Sequence, residues 1–101
     1  MTQKQMKIAR IYLNEGSAHL DKLITLLNDV ERVTGVTVYR GIEGYGESGE
    51  VHSASLIALS LDLPITVEFY DEIDKVNGII EHLGKNIKPG HIISWPVDVQ
   101  F

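Results

Sequence analysis

The sequence contains no cysteine, and this absence excludes several kinds of chemistry. A chain without thiols has no disulfide framework, no thiolate metal site and no cysteine nucleophile. Long apolar runs are also absent: the longest uncharged stretch, residues 51–61, contains a histidine and three serines and is too short to span a bilayer. Residues 1–7 are polar and do not resemble a signal peptide. We therefore expect a cytoplasmic protein with no membrane insertion.

Basic residues are in the minority, with 9 lysines and arginines against 14 aspartates and glutamates and a net charge of −5. Such a chain repels a phosphate backbone unless its few cations are gathered on one face. Small α/β domains that bind RNA use exposed aromatic side chains on their central strands and a basic surface, and this sequence predicts neither. We therefore expect no nucleic-acid partner.

Apolar residues make up 44% of the 101 residues, enough for one core but not for two. Strand periodicity covers residues 7–13, 36–42, 65–70 and 91–95, and helical periodicity covers residues 18–33 and 71–84. This order predicts one βαββαβ domain over residues 1–101, built around a single, mostly antiparallel sheet. After Pro96, the alternation of Val97, Val99 and Phe101 predicts an additional strand or an intersubunit arm whose apolar face needs a partner.

The two predicted helices each carry an apolar stripe. The stripes are Leu20, Leu23, Leu27 and Val30 in the first helix and Ile73, Val76, Ile80 and Leu83 in the second. Asp71 is expected to cap the second helix and Gly84 to end it.

A glycine-rich run, Arg40-Gly41-Ile42-Glu43-Gly44-Tyr45-Gly46, follows the second strand. Glycines at this spacing let successive backbone N–H groups converge on an anion, and they let a ligand approach where a Cβ would block it. The alternative interpretation is a turn that needs glycine only for its own backbone.

A second candidate binding segment, residues 84–91, joins the second helix to the last strand. It brings two lysines close to two glycines, which suits a phosphate. The alternative is a helix C-cap followed by a solvated loop, because glycine and lysine are both common at helix ends.

No catalytic set is visible in the sequence. None of the four histidines (His19, His52, His82 and His91) has a second histidine or a carboxylate at i+4, the serines form no nucleophile elbow, and no carboxylates are paired. An enzyme of the acylphosphatase type, which shares this element order, would need an arginine-bearing loop after the first strand, and residues 14–17 supply none. We expect neither an enzyme nor a metal site.

The run VTVYRGIEGYG at residues 36–46 resembles a PII-like family of bacteria and archaea, domain of unknown function 190. The likeness continues at His52, at residues 59–65, at Glu68 and at residues 71–72, so it covers nearly the whole chain. The resemblance implies an α+β, ferredoxin-like fold with two helices on one face of the sheet. It also implies a homotrimer that binds adenine nucleotides between its subunits.

The resemblance to PII signal proteins implies roles for single residues. Gly44-Tyr45-Gly46 matches the glycine–aromatic–glycine at the base of the PII T-loop, and Gly90 matches the glycine of the loop before the last strand. The expected nucleotide-binding residues are Arg40, Gly41, Gly44, Tyr45, Gly46, Lys85, Lys88, Gly90 and His91. Two cationic partners of the PII phosphates are replaced, by Glu47-Ser48 and by His91, so AMP or ADP is expected to bind better than ATP.

The long loop after the second strand corresponds to the PII T-loop, which faces a partner protein. Its expected partner-facing residues are Glu47, Ser48, Glu50 and His52. The resemblance thus predicts a non-enzymatic regulator of a membrane transporter or an enzyme. The alternative is a divalent-metal-binding or ion-tolerance protein of the same trimeric fold, favoured only by His52 and the acidic residues Glu43, Glu47 and Glu50.

Overall fold

The computed structural model describes residues 1–14, 20–46 and 63–101, together with the backbone of residues 52–53. Within these ranges the elements are β1 (Gln3–Asn14), α1 (Leu20–Thr25, continued by a π-helical turn at Leu26–Val30), β2 (Gly35–Arg40), β3 (Glu43–Gly44), β4 (His52–Ser53), β5 (Pro64–Asp71), α2 (Ile73–Leu83) and β6 (Ile92–Gln100). None of the helices in the described ranges is long and apolar enough to cross a membrane.

Four strands form one sheet in the order β2-β5-β1-β6, and every neighbouring pair is antiparallel. Each helix connects two strands that are separated in the sheet by a third, so that two βαβ units interlock. The predicted ferredoxin-like α+β sandwich is therefore confirmed. The short strands β3 and β4 form a separate two-stranded ribbon within the long connection.

The core lies between the sheet and the two helices, as the strand alternation predicts. Ile11 of β1 and Val67 and Phe69 of β5 are fully buried. Leu27 from the first helical segment and Val76 from α2 close the core from the other side. Burial of side chains of this size contributes about 1.5–3 kcal/mol each and drives the packing of the helices onto the sheet.

The first helix ends earlier than predicted, at Val30, and its last turn is π-helical. The N–H of Glu31 donates to the carbonyl oxygen of Leu26, five residues back, at 2.8 Å. The wider turn shifts the apolar stripe out of phase, so Leu23 and Leu27 are buried but Val30 is 66% exposed. Val30, which the helical spacing placed on the same apolar stripe as Leu23 and Leu27, is therefore not part of the core.

The C-terminal alternation is neither an additional strand nor a separate arm. β6 runs through Pro96 and pairs with β1 over the register Gln3↔Gln100 to Ile11↔Ile92. Proline is tolerated because β6 is an edge strand, whose outward N–H positions need no partner in the sheet. The same pairing makes β1 begin at Gln3 instead of Lys7.

The face of the sheet away from the helices carries a row of side chains that crosses all four strands. The guanidinium of Arg10 lies 2.7 Å from Glu68, whose other oxygen is 3.4 Å from the hydroxyl of Tyr39. On the opposite side, Arg10 lies 5.2 Å from the centroid of the Trp95 ring. The hydrogen bond to Glu68 raises the pKa of Arg10 above its usual value.

Asp71 does not cap α2 as predicted; it ends β5 and joins three segments. Its carboxylate accepts the N–H of Glu72 at 2.7 Å and the N–H of Thr34 at 3.0 Å, and it lies 3.0 Å from Nζ of Lys75. Burial alone would raise the pKa of Asp71, but these two N–H groups and Lys75 outweigh it and lower the pKa below its usual range. We call this arrangement the Asp71 clamp.

Candidate functional site

A cleft of about 1850 Å³ opens at the end of the sheet where β1 ends and β5 begins. The strand ends form its base. Gly41 and residues 43–46 line it from the connection after β2, and α1 and the end of α2 line it from the helical layer. Its volume exceeds the roughly 300–1,000 Å³ of a typical small-molecule pocket, so its size does not exclude a nucleotide. Its polar and charged lining residues are Tyr12, Asn14, Lys22, Glu43, Tyr45, Thr66, His82, Asn86, Lys88 and His91.

Two glycines of the first segment have a packing role. The N–H of Gly41 donates to the carbonyl oxygen of Pro64 at 2.7 Å. A Cβ added at Gly41 would lie 2.9 Å from the Pro64 ring, and one at Gly44 would lie 3.2 Å from it. Pro64 therefore leaves no room for a Cβ at Gly41 and little at Gly44, so both glycines are explained by close packing and not by a left-handed backbone.

Gly46 has no such role among the described residues. A Cβ added there meets no atom within 4 Å, and its φ lies outside the left-handed region. The neighbouring Tyr45 is 76% exposed and also lines the cleft. An aromatic ring next to an open backbone position is the arrangement expected where a planar ligand stacks and a Cβ would interfere.

The second segment begins where α2 ends. Gly84 closes the helix by donating its N–H to the carbonyl oxygen of Ile80 at 2.8 Å, as predicted. Gly90 has a φ of +85°, in the left-handed region, and therefore needs glycine for the turn itself. This turn places His91 directly before β6. The carbonyl oxygen of His91 accepts the N–H of Tyr12 at 2.9 Å.

The structure brings most of the predicted nucleotide-binding residues into one cleft. Gly41, Gly44, Tyr45, Gly46, Lys88, Gly90 and His91 all line it. Arg40 at the end of β2 and Lys85 after α2 are described but do not line it. The position of the cleft therefore does not support the prediction that Arg40 and Lys85 bind the nucleotide.

The predicted partner-facing loop lies mostly outside the described residues. Glu47, Ser48 and Glu50 belong to the undescribed part, and His52 is described only by its backbone, which pairs with Gly44 in the β3–β4 ribbon. No group of three potential metal ligands occurs among the residues whose side chains are described. Because three of the four residues that favoured a metal site lack described side chains, the metal alternative remains untested.

Several lining residues were not predicted from the sequence. Lys22 comes from α1 and His82 from α2, while Tyr12 and Thr66 are register partners on β1 and β5. Lys22 and Leu26 are four residues apart and thus share one helix face, whereas His82 lies in the last turn of α2 and Asn86 in the turn that follows it. This spacing is visible in the sequence, but only the fold places both helices at the same cleft.

The fold is that of PII-like proteins. It matches CPII, a nitrogen regulatory PII-like protein from Thiomonas intermedia K12 solved with ADP, AMP and bicarbonate, with a TM-score of 0.69 and 20% identity over 99% of this chain and 91% of that one. CutA1 from Oryza sativa matches with a TM-score of 0.61 and 12% identity over 96% of this chain and 82% of that one. At these identities the likeness establishes the architecture.

The family follows from the sequence matches. Residues 6–99 match DUF190, described as uncharacterized ACR. The UPF0166 protein MJ1524 of Methanocaldococcus jannaschii is 35% identical over 91 residues, covering 86% of this chain and 83% of the relative. A UPF0166 protein of Aquifex aeolicus is 39% identical over 81 residues, covering 76% of this chain and 77% of the relative. The chain belongs to the DUF190 family, and its fold is similar to that of the PII-like protein CPII.

Proposed function

We propose that this protein is a PII-like regulator that binds an adenine nucleotide in the cleft at the end of its sheet. The observation that carries the proposal is that two glycine segments, separated by about forty residues in sequence, line one cleft. A turn that serves only its own backbone has no reason to face another such turn across a cleft of nucleotide size.

Gly46 and Tyr45 add to this support. Gly41 and Gly44 are explained by Pro64, and Gly90 by its positive φ, but the described residues give no reason for glycine at position 46. A ligand that approaches the backbone supplies that reason. The exposed ring of Tyr45 offers an apolar face for a base. CPII, which has this fold, was solved with ADP and AMP, and adenine is therefore the base we propose.

The charges around the cleft favour AMP or ADP over ATP. Lys22 and Lys88 line it, but so does Glu43, and the chain carries a net charge of −5. Each further phosphate adds roughly one to two negative charges, which need cations or convergent N–H groups as partners. A third phosphate exceeds what these residues neutralise unless Mg²⁺ accompanies it.

The regulatory part of the proposal concerns assembly and the long loop. We propose a homotrimer in which the open face of the sheet is covered and the cleft lies next to a neighbouring subunit. The loop that contains Glu47, Ser48, Glu50 and His52 would contact a membrane transporter or an enzyme. This contact would depend on which nucleotide occupies the cleft. The protein itself would act as a signal and catalyse no reaction.

Two tyrosines provide a matched test. Tyr45→Ala removes an exposed ring that lines the cleft, whereas Tyr39→Ala removes a ring that is 49% exposed on β2 and does not line it. Stacking of a base on an aromatic ring is worth about 1–3 kcal/mol, so we expect Tyr45→Ala to weaken ADP binding by roughly 5- to 100-fold in isothermal titration. Because Tyr39 lies on the open face of the sheet, light scattering must first show that Tyr39→Ala keeps the wild-type mass, and this variant should then bind ADP as the wild type does. Equal losses in both variants would argue against this cleft as the site.

A further inference from the structure

The charged groups that line the cleft are distributed unevenly among its elements. Its cationic and imidazole groups come from α1, from α2 and from the segment before β6, at Lys22, His82, Lys88 and His91. Glu43 on β3 is the only carboxylate among the described lining residues. A ligand with one anionic end and one neutral end would therefore be oriented by the cleft itself.

Lys22 is the feature that neither the glycine segments nor the resemblance points to. It is exposed, it lines the cleft, and it shares a helix face with Leu26, which lines the cleft as well. No ion pair holds Lys22 within the described part of the chain, whereas the lysines Lys4 and Lys75 are paired with carboxylates. An unpaired ammonium on a flexible stem remains available for an anion.

The end of α2 is prepared for an anion in a second way. Carbonyl groups at a helix C-terminus carry partial negative charge and repel a phosphate. Here the N–H groups of Asn86 and Ile87 donate to the carbonyl oxygen of Leu83 at 2.9 and 3.1 Å, and the Ile80 carbonyl accepts the N–H of Gly84. Because these bonds occupy the carbonyls of Ile80 and Leu83, two of the last four in α2, His82 and Lys88 can present their donors to the cleft with less opposing charge.

We propose that Lys22, His82 and Lys88 form an anion-binding surface that receives the phosphates of the ligand, with Lys22 as its specificity-determining residue. The base and ribose then lie toward Tyr45 and Glu43, whose carboxylate accepts hydrogen bonds from hydroxyl or amino groups. This inference rests on the proposed nucleotide site, and it adds a phosphate contact from α1 together with a direction for the ligand.

The test compares Lys22→Gln with Lys7→Gln, which removes the same charge from a lysine of β1 that contacts Asn77 and does not line the cleft. Isothermal titrations with ADP, adenosine and inorganic pyrophosphate separate the phosphates from the base. We expect Lys22→Gln to weaken the binding of ADP and of pyrophosphate about tenfold, which corresponds to one charge-assisted hydrogen bond. The affinity for adenosine should not change. Lys7→Gln should keep its affinity for ADP within about twofold of the wild type, because screening weakens a more distant charge. Lys22→Arg, which keeps the charge, should retain most of the affinity.

The outcomes distinguish this inference from the proposed function. If the wild type binds ADP and Lys22→Gln binds it equally well, or if Lys7→Gln loses as much affinity, the anion-binding surface is wrong and the nucleotide site stands. If the wild type binds pyrophosphate through Lys22 but binds neither ADP nor adenosine, the surface is right and the nucleotide proposal is wrong. If neither ADP nor pyrophosphate binds, both are wrong.

Discussion

The Nδ1 atom of His91 lies 3.1 Å from the carbonyl oxygen of Tyr12. A carbonyl oxygen only accepts hydrogen bonds, so Nδ1 must carry a proton and donate it. In the neutral ring, Nε2 is then left as an acceptor. We predict the Nδ1–H tautomer for neutral His91, observed by the ¹⁵N chemical shifts of its two ring nitrogens. The Nε2–H tautomer in the neutral ring would contradict the contact.

The Asp71 clamp leads to a prediction about stability. Asp71→Asn replaces one acceptor oxygen by a donor that faces the Thr34 or Glu72 N–H, and it removes the charge opposite Lys75. We expect the free energy of unfolding at neutral pH to fall by about 1–3 kcal/mol, measured by urea denaturation. As a control, Asp74→Asn, in the exposed first turn of α2, should cost no more than about 1 kcal/mol.

The pH dependence of the clamp has a definite sign. The pKa of Asp71 is lower in the folded protein than its ordinary value of 3.8, so the folded state favours the charged form. Its contribution to stability is complete above the ordinary value and is lost as the pH falls through the lower, folded value. The difference in unfolding free energy between wild type and Asp71→Asn should therefore shrink on acidification below about pH 4. A difference that stays constant down to about pH 2 would show that the charge of Asp71 is unimportant.

Two glycines of one run should respond to alanine in opposite ways. Gly41→Ala places a Cβ 2.9 Å from the Pro64 ring and should destabilise the fold by roughly 1–3 kcal/mol. Gly46→Ala meets open space, so it should leave the melting temperature unchanged or slightly raised and should weaken ADP binding. Thermal unfolding followed by titration checks both. Unaltered ADP affinity in Gly46→Ala would remove the argument that position 46 faces a ligand.

The open face of the sheet underlies the prediction of a trimer. Trp95, Val97 and Val99 lie only partly buried on this face of β6, and covering a large apolar side chain contributes about 1.5–3 kcal/mol. We expect light scattering to give three times the mass of one chain. Val99→Glu should dissociate the trimer, and Gln100→Glu, with the same charge on the other face of the strand, should not. A wild-type monomer at micromolar concentration would contradict the proposal.

Local periodicity was sufficient to predict most of the fold. The alternation of Ala9 and Ile11 and of Val67 and Phe69 marks the core face, because a strand with one buried face must repeat every two residues. The phase error at Val30 could not be foreseen, since a π-helical turn depends on how the end of the helix is held. The role of Asp71 was missed for a related reason: its partner Thr34 is 37 residues away.

The candidate site could be predicted only in part. Glycine segments are visible in the sequence because glycine marks unusual backbone, although two of these glycines turned out to pack on Pro64. Lys22 and His82 were missed because an exposed lysine or histidine on a helix is ordinary until the fold places both at one cleft. Lys85 was predicted to bind the nucleotide because it lies only three residues before Lys88, but it does not line the cleft.

Isothermal titration with AMP, ADP and ATP in the absence of metal tests the central claim most directly. The account predicts saturable binding of AMP and ADP and weaker binding of ATP, because the cleft offers Lys22 and Lys88 against Glu43 in a chain of net charge −5. Adding Mg²⁺ should raise the affinity for ATP more than the affinities for AMP and ADP. Tighter binding of ATP without metal would contradict the charge argument. The absence of heat with all three nucleotides, together with stoichiometric uptake of a divalent cation, would contradict nucleotide binding itself and favour the metal-binding alternative.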